Sequence, residues 1–183
     1  MKKQKQEPVT ASPTKHIPGT KLLLRFLILF AVLYIGFELA YFNDFLYQHV
    51  FYPVNKGFAW LSAKLLTVCG FPAHSNADSI LNDTFSITVK QGCDSLEALA
   101  IFLCGVIAFP ARMKIKLWGL LIGTSIILFM NLIRLMSLFW IGLYHFDLFD
   151  LFHLEIWQGY FIVQSIALWV IWVIQASKPV KTA

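Results

Sequence analysis

Three residues, Cys93, Arg134 and His153, are of types that together can transfer an acyl group. A thiol is a strong nucleophile as thiolate, a form favoured by a helix amino terminus or a nearby cation. An imidazole titrating near neutrality can take the thiol's proton and pass it to a leaving amine. A guanidinium stays charged at any relevant pH, so its part would be to hold a carbonyl oxygen, a developing oxyanion or a carboxylate. Asp150, about one helical turn before His153, could orient the ring. Asp94 and Glu97 could cap the helix that follows Cys93 as a capping-box variant, although the Asp94 charge opposes thiolate formation.

Each residue also has a plainer reading. A membrane cysteine is usually small-residue packing, the role assigned to Cys104 and Cys69 and an equal alternative for Cys93. Interfacial histidines often snorkel or cap, the reading given to His49, His74 and His145. Arg134 could snorkel to head groups, but it sits in the apolar run from Phe129 to Trp140. An arginine at a span's centre costs about 2.5–3.5 kcal/mol on insertion scales, so such a residue usually faces protein or a wet cavity.

Whether these groups meet depends on the elements that carry them. The chain has 183 residues, 58% hydrophobic and 16% aromatic, with only 14% charged, a composition typical of membrane proteins. The formal charge of +5 is gathered at the flanks of apolar runs, in residues such as Lys2, Lys3, Lys21, Arg25, Arg112, Lys114, Lys116, Lys178 and Lys181. That distribution sets membrane orientation and argues against a nucleic-acid groove. The odd count of three cysteines, with no Cys-x-x-Cys pair, argues against a disulfide scaffold or zinc cluster.

The fold expected is an all-α integral membrane protein with about four transmembrane helices, an outer interfacial helix and a short β-hairpin. Residues 1–20 read as a disordered cytoplasmic tail, 21–177 as one membrane-embedded domain, and 178–183 as a second cytoplasmic tail. The first span is read at Leu22–Phe42, an amphipathic helix in the outer interface at 49–71, and a hairpin turning at Asn82-Asp83. Further spans are read at Cys93–Phe109, Leu117–Tyr144 and Leu154–Gln175, with both termini inside. Arg134 then lies roughly 27 Å along its helix from Lys116, near the far edge of a ~30 Å hydrocarbon layer. Cys93 and His153 fall at the same outer depth. The chain's surroundings would be the bilayer of a bacterial inner membrane, with the site facing the periplasmic side.

The blocks Gln91-Gly92-Cys93-Asp94-Ser95-Leu96-Glu97-Ala98, Asn131-Leu132-Ile133-Arg134 and Phe152-His153-Leu154-Glu155-Ile156-Trp157-Gln158 resemble the ordered Cys, Arg and His blocks of the exosortase/archaeosortase family. The short chain and the last block most resemble exosortase H. The resemblance covers about 45–175. It implies a membrane-embedded cysteine peptidase or transpeptidase acting on membrane-anchored proteins whose carboxy-terminal sorting signal is a short motif, an apolar helix and a basic tail. For exosortase H-like members the motif begins Ile-Pro-Thr-Leu. By matching blocks, Cys93 is the nucleophile, and Arg134 and His153 take the second and third roles; Asn131, Asp150 and Glu97 are read as supporting residues. No metal or organic cofactor is implied. Asp94-Ser95 departs from the small or amide residue and glycine found in many relatives. Competing readings are a thiol redox protein pairing Cys69 with Cys93, and a non-catalytic scaffold of an exopolysaccharide export system.

Overall fold

The computed structural model of the chain describes residues 19–178, so the expected tails lie almost wholly outside the described residues. Helix α1, Gly19–Tyr41, starts two residues inside the first of those tails and buries only Tyr41 at its end. A second helical run combines α2, Asp44–Leu46, a wide π turn at Tyr47–Phe51, and α3, Tyr52–Val68. Asn43 opens it by accepting the Leu46 amide at 3.1 Å. Pro53 has no N–H to donate to the preceding turn, and the widened turn lies just before it. The interfacial helix expected at 49–71 therefore begins earlier and ends sooner. Its buried positions, Asn55, Phe58, Ala59, Ser62, Ala63 and Leu66, form one helical stripe.

The hairpin is the second half of a three-stranded antiparallel sheet. Strands β1, His74–Asn76, β2, Ser79–Leu81, and β3, Ser86–Thr88, lie in that order, with Ile80 opposite both Ser75 and Ile87. The β2–β3 turn is held by Asn82 Oδ1, which accepts the Thr84 and Phe85 amides at 3.0 and 2.8 Å. The β1–β2 turn carries Ala77 at φ +54°, a conformation rare for alanine, so the left-handed position itself holds no glycine or asparagine to mark the turn in advance.

Helices α4, Leu96–Ala108, and α5, Met113–Tyr144, follow. A single turn at Phe146–Leu148 and a π turn at Leu151–Ile156 then lead into α6, Trp157–Ala176. Against the four spans expected, three helical stretches are long and apolar enough to cross a membrane: α1, α5 and the continuous run Phe146–Ala176. The fourth, α4, has 13 residues, and residues 92–95 before it form a turn rather than its first helical turn. At about 1.5 Å per residue it is shorter than the hydrocarbon layer. The last run starts eight residues before the expected Leu154, which places His153 inside the π turn.

Helix α4 is buried on most sides, including Ala98, Ala100, Phe102, Cys104, Val106 and Ala108. Its close packing depends on small residues opposite large rings. Gly119 and Gly123, four apart on α5, sit beneath the Trp172 indole and the Phe102 ring, and a β-carbon at either would collide with them. Polar contacts across the seams are few. Ser165 donates to the Ala98 carbonyl at 2.9 Å and Trp172 Nε1 to the Ile115 carbonyl at 3.2 Å. The sheet is fixed to the bundle by Phe85, which lies over Gly142 and stacks edge-on to Phe139 at 5.7 Å between centroids.

Candidate active site

The thiol is presented by a tight turn between β3 and α4. Gly92 adopts φ +82° and Ser95 φ +58°, and the Cys93 amide donates to the Lys90 carbonyl at 2.9 Å. A left-handed conformation suits Gly92, whereas Ser95 holds it at a steric cost. The turn is strapped to two other elements. Tyr41 Oη donates to Asp94 Oδ2 at 2.7 Å, and Asn55 Nδ2 donates to the same oxygen at 3.4 Å and to Tyr47 Oη at 3.1 Å. Asp94 Oδ1 accepts the Leu96 amide at 3.1 Å, and Gln91 Nε2 donates to the Tyr41 carbonyl at 2.9 Å. Asp94 is wholly buried, so its carboxylate depends on these donors in place of water.

The capping box expected from Asp94 and Glu97 does not form. Asp94 caps from two residues before Leu96, while Ser95 stands at the helix start without a side-chain bond. Glu97 instead lines a cavity of about 150 Å³ that also exposes Arg134 and Gln158.

His153 projects from the π turn, and its Nε2 is in direct hydrogen-bond contact with Cys93 Sγ, across 60 residues of sequence. Wide turns of this kind shift the following side chains around the helix axis and are frequent at functional sites. Arg134 completes the junction. It is 2% exposed, and its Nη1 and Nη2 donate to the Gly92 and His153 carbonyls, each at 3.4 Å. Its guanidinium carbon lies 5.5 Å from the Phe161 ring centre, a cation–π arrangement. One guanidinium thus spans the backbone of the residue before the thiol and that of the imidazole itself. Its Nε is buried with no partner among the described residues.

The supporting residues are distributed less neatly. Asp150 lines the same groove as Cys93 and His153, but among the described residues it makes no hydrogen bond to the ring. Asn131, one turn before Arg134, is fully buried, and neither end of its amide has a partner among the described residues. Cys69, Cys93 and Cys104 are all free, so the disulfide of the redox reading is not formed. Sequence reasoning missed Tyr41, Asn55 and Gln91, which hold the thiol's turn. A tyrosine ending an apolar helix and an asparagine on the buried stripe of α3 were the available signals.

Cys93 precedes α4 and lies outside the spanning helices. Burial pushes its thiol above the usual cysteine range; Arg134 pulls it down and Asp94 pushes it up, and the net effect is upward. Burial likewise raises Asp94, against the lowering effect of the bonds from Tyr41, Leu96 and Asn55. A thiol held above its ordinary range keeps its proton near neutral pH, which leaves the transfer to His153 for the reaction.

A family model described as transmembrane exosortase matches residues 19–173. The chain belongs to the transmembrane exosortase family. It is a multi-pass membrane protein, and the family match contains Cys93, Arg134 and His153. No curated protein and no solved structure matches it.

A raised thiol has a definite pH signature in this exosortase. Below its pKa the neutral thiol reacts slowly, so alkylation of Cys93 by iodoacetamide should climb with pH, its midpoint above that of free cysteine measured alongside. A rate already at its plateau at pH 6 would show a preformed thiolate and contradict the neutral resting thiol.

Proposed function

We propose that this exosortase is a cysteine transpeptidase or peptidase that cleaves carboxy-terminal sorting signals of membrane-anchored proteins, by the exosortase H-like resemblance those with an Ile-Pro-Thr-Leu type motif. The observation that carries the reading is the contact between Cys93 and His153, delivered by distant segments to one groove. Cys93 Sγ attacks the scissile carbonyl while His153 takes the thiol proton. The tetrahedral intermediate collapses as His153 returns that proton to the leaving amine, which departs with the apolar helix and basic tail. A thioester on Cys93 remains, and an amine or water resolves it.

Arg134 serves chiefly to hold the pair in register, through the Gly92 and His153 carbonyls. Its Nε is buried and Arg134 does not line the groove that holds Cys93 and His153, so its part is to position the pair rather than to touch the substrate. A lysine could not reproduce the planar fork that reaches both carbonyls. The test is the fraction of a tagged reporter cleaved in cells, the reporter ending in Ile-Pro-Thr-Leu, an apolar helix and a basic tail. Cys93→Ala should abolish cleavage, while His153→Gln should cost roughly 10²–10⁴, the range for losing a general acid–base. Arg134→Lys should cost on the order of 10², the penalty for misplacing reacting groups by about 1 Å. Equal cleavage by wild type and Cys93→Ala, at equal protein level, would favour a non-catalytic scaffold.

We place the site on the outer face of a bacterial inner membrane, with both termini inside. The support is the basic cluster Arg112, Lys114 and Lys116 between α4 and α5, together with the lysines near both ends of the chain. In a background with Cys69, Cys93 and Cys104 replaced by alanine, a single cysteine replacing Asp83 should react with an impermeant maleimide in intact cells, and one replacing Lys114 only after permeabilisation. The reverse pattern would invert this orientation.

A further inference from the structure

We propose that the open edge of β3 receives the substrate as an added β-strand, so that backbone pairing to Ser86 and Thr88 draws the scissile carbonyl up to Cys93. The inference rests on the cysteine transpeptidase reading and names how the same site holds its peptide.

The alternation of the sheet identifies which backbone groups are free. Asn82 N–H donates to the Phe85 carbonyl at 2.9 Å and Val89 N–H to the Asp78 carbonyl at 2.8 Å. With Ile80 opposite Ile87 between them, residues 85, 87 and 89 turn their backbone groups towards β2. Ser86 and Thr88 therefore turn theirs the other way, and β3 is the last strand of the sheet. Exposed edges are commonly blocked by proline, by charge or by a covering element. Here the edge residues are a serine and a threonine, both exposed.

That edge forms one wall of a cavity of about 380 Å³, which also contains Cys93 and His153. The rest of its lining is mostly apolar, from Leu135, Leu138, Phe146 and Phe149, with the charged Lys90 and Asp150 beside them. An extended peptide fits this lining: its backbone pairs with β3, and alternate side chains meet the apolar residues. Only two residues of β3 present outward groups, so the paired stretch spans about three to four substrate residues, the scale of a short motif. Phe146 and Phe149 are in turn packed against the Phe85 ring, at 6.4 and 6.1 Å between centroids. Substrate binding and placement of the Cys93 turn thus share one strand.

The test uses the full chain in native membranes with the tagged reporter described above. Ser86→Pro and Thr88→Pro each delete one outward N–H at a strand edge, where proline is tolerated. Each should lower cleavage at least tenfold while protein level and iodoacetamide labelling of Cys93 stay at wild-type values. Cleavage within threefold of wild type would overturn the inference alone. If either variant accumulates poorly, cross-linking decides. In a Cys93→Ala, Cys69→Ala, Cys104→Ala background, a cysteine replacing Ser86 or Thr88 is paired with single cysteines walked along the reporter motif. Cross-links should recur with a period of two and shift by two residues between the two enzyme positions; absent or unperiodic cross-links would overturn the inference. Failure of the wild-type protein to cleave the reporter would remove the transpeptidase reading and this inference with it.

Discussion

The site depends on one buried charge. Arg134 lies in an apolar helix with 2% of its surface exposed, where a guanidinium without partners would be expensive. Its compensation comes from two main-chain carbonyls and an aromatic face, all supplied by other segments. Because the arginine can be satisfied only when the Gly92 and His153 carbonyls converge on it, its burial penalises any packing in which those segments are apart. That constraint brings Cys93 and His153 into contact, although each carbonyl bond, at 3.4 Å, is long.

The surrounding architecture keeps that convergence narrow. On the thiol side, the strained turn at Gly92–Ser95 is tied through Asp94 to Tyr41 and Asn55, so the ends of α1 and α3 share one acceptor. On the imidazole side, the π turn aims His153 before the regular helix α6 begins. Below both, Gly119 and Gly123 let α5 approach the large rings of α4 and α6, which fixes the height of Arg134 against its neighbours. The neutral thiol that results has a chemical consequence. Nucleophilicity is not stored in the resting site, and the histidine must supply it when a carbonyl is present.

Much of this was legible in the residues. Apolar runs and flanking lysines were enough to expect Cys93, Arg134 and His153 near one another, and the structure brings the three together. The β2–β3 hairpin was also visible, through alternation and the Asn82 turn. What escaped notice depends on distance or on the main chain. Tyr41 and Asp94 are 53 residues apart and Asn55 and Asp94 39 apart, with no local spacing to betray them. Strand β1 turns at Ala77, a residue type that rarely announces a left-handed turn. The carbonyl partners of Arg134 have no sequence signature at all, so the guanidinium was expected to face substrate oxygens first. Asp150 had the right spacing to hold His153, yet the widened helix there changes which residues face each other.

The central claim is that Cys93 carries the acyl group in turnover, and capture of that species tests it most directly. Reporter-expressing cells would be quenched in acid, and the enzyme digested and analysed by mass spectrometry. The account predicts a substrate-derived adduct on the peptide containing Cys93, released by neutral hydroxylamine as a thioester should be. Continued reporter cleavage with no adduct at Cys93, or with a hydroxylamine-labile adduct only at Cys69 or Cys104, would contradict it.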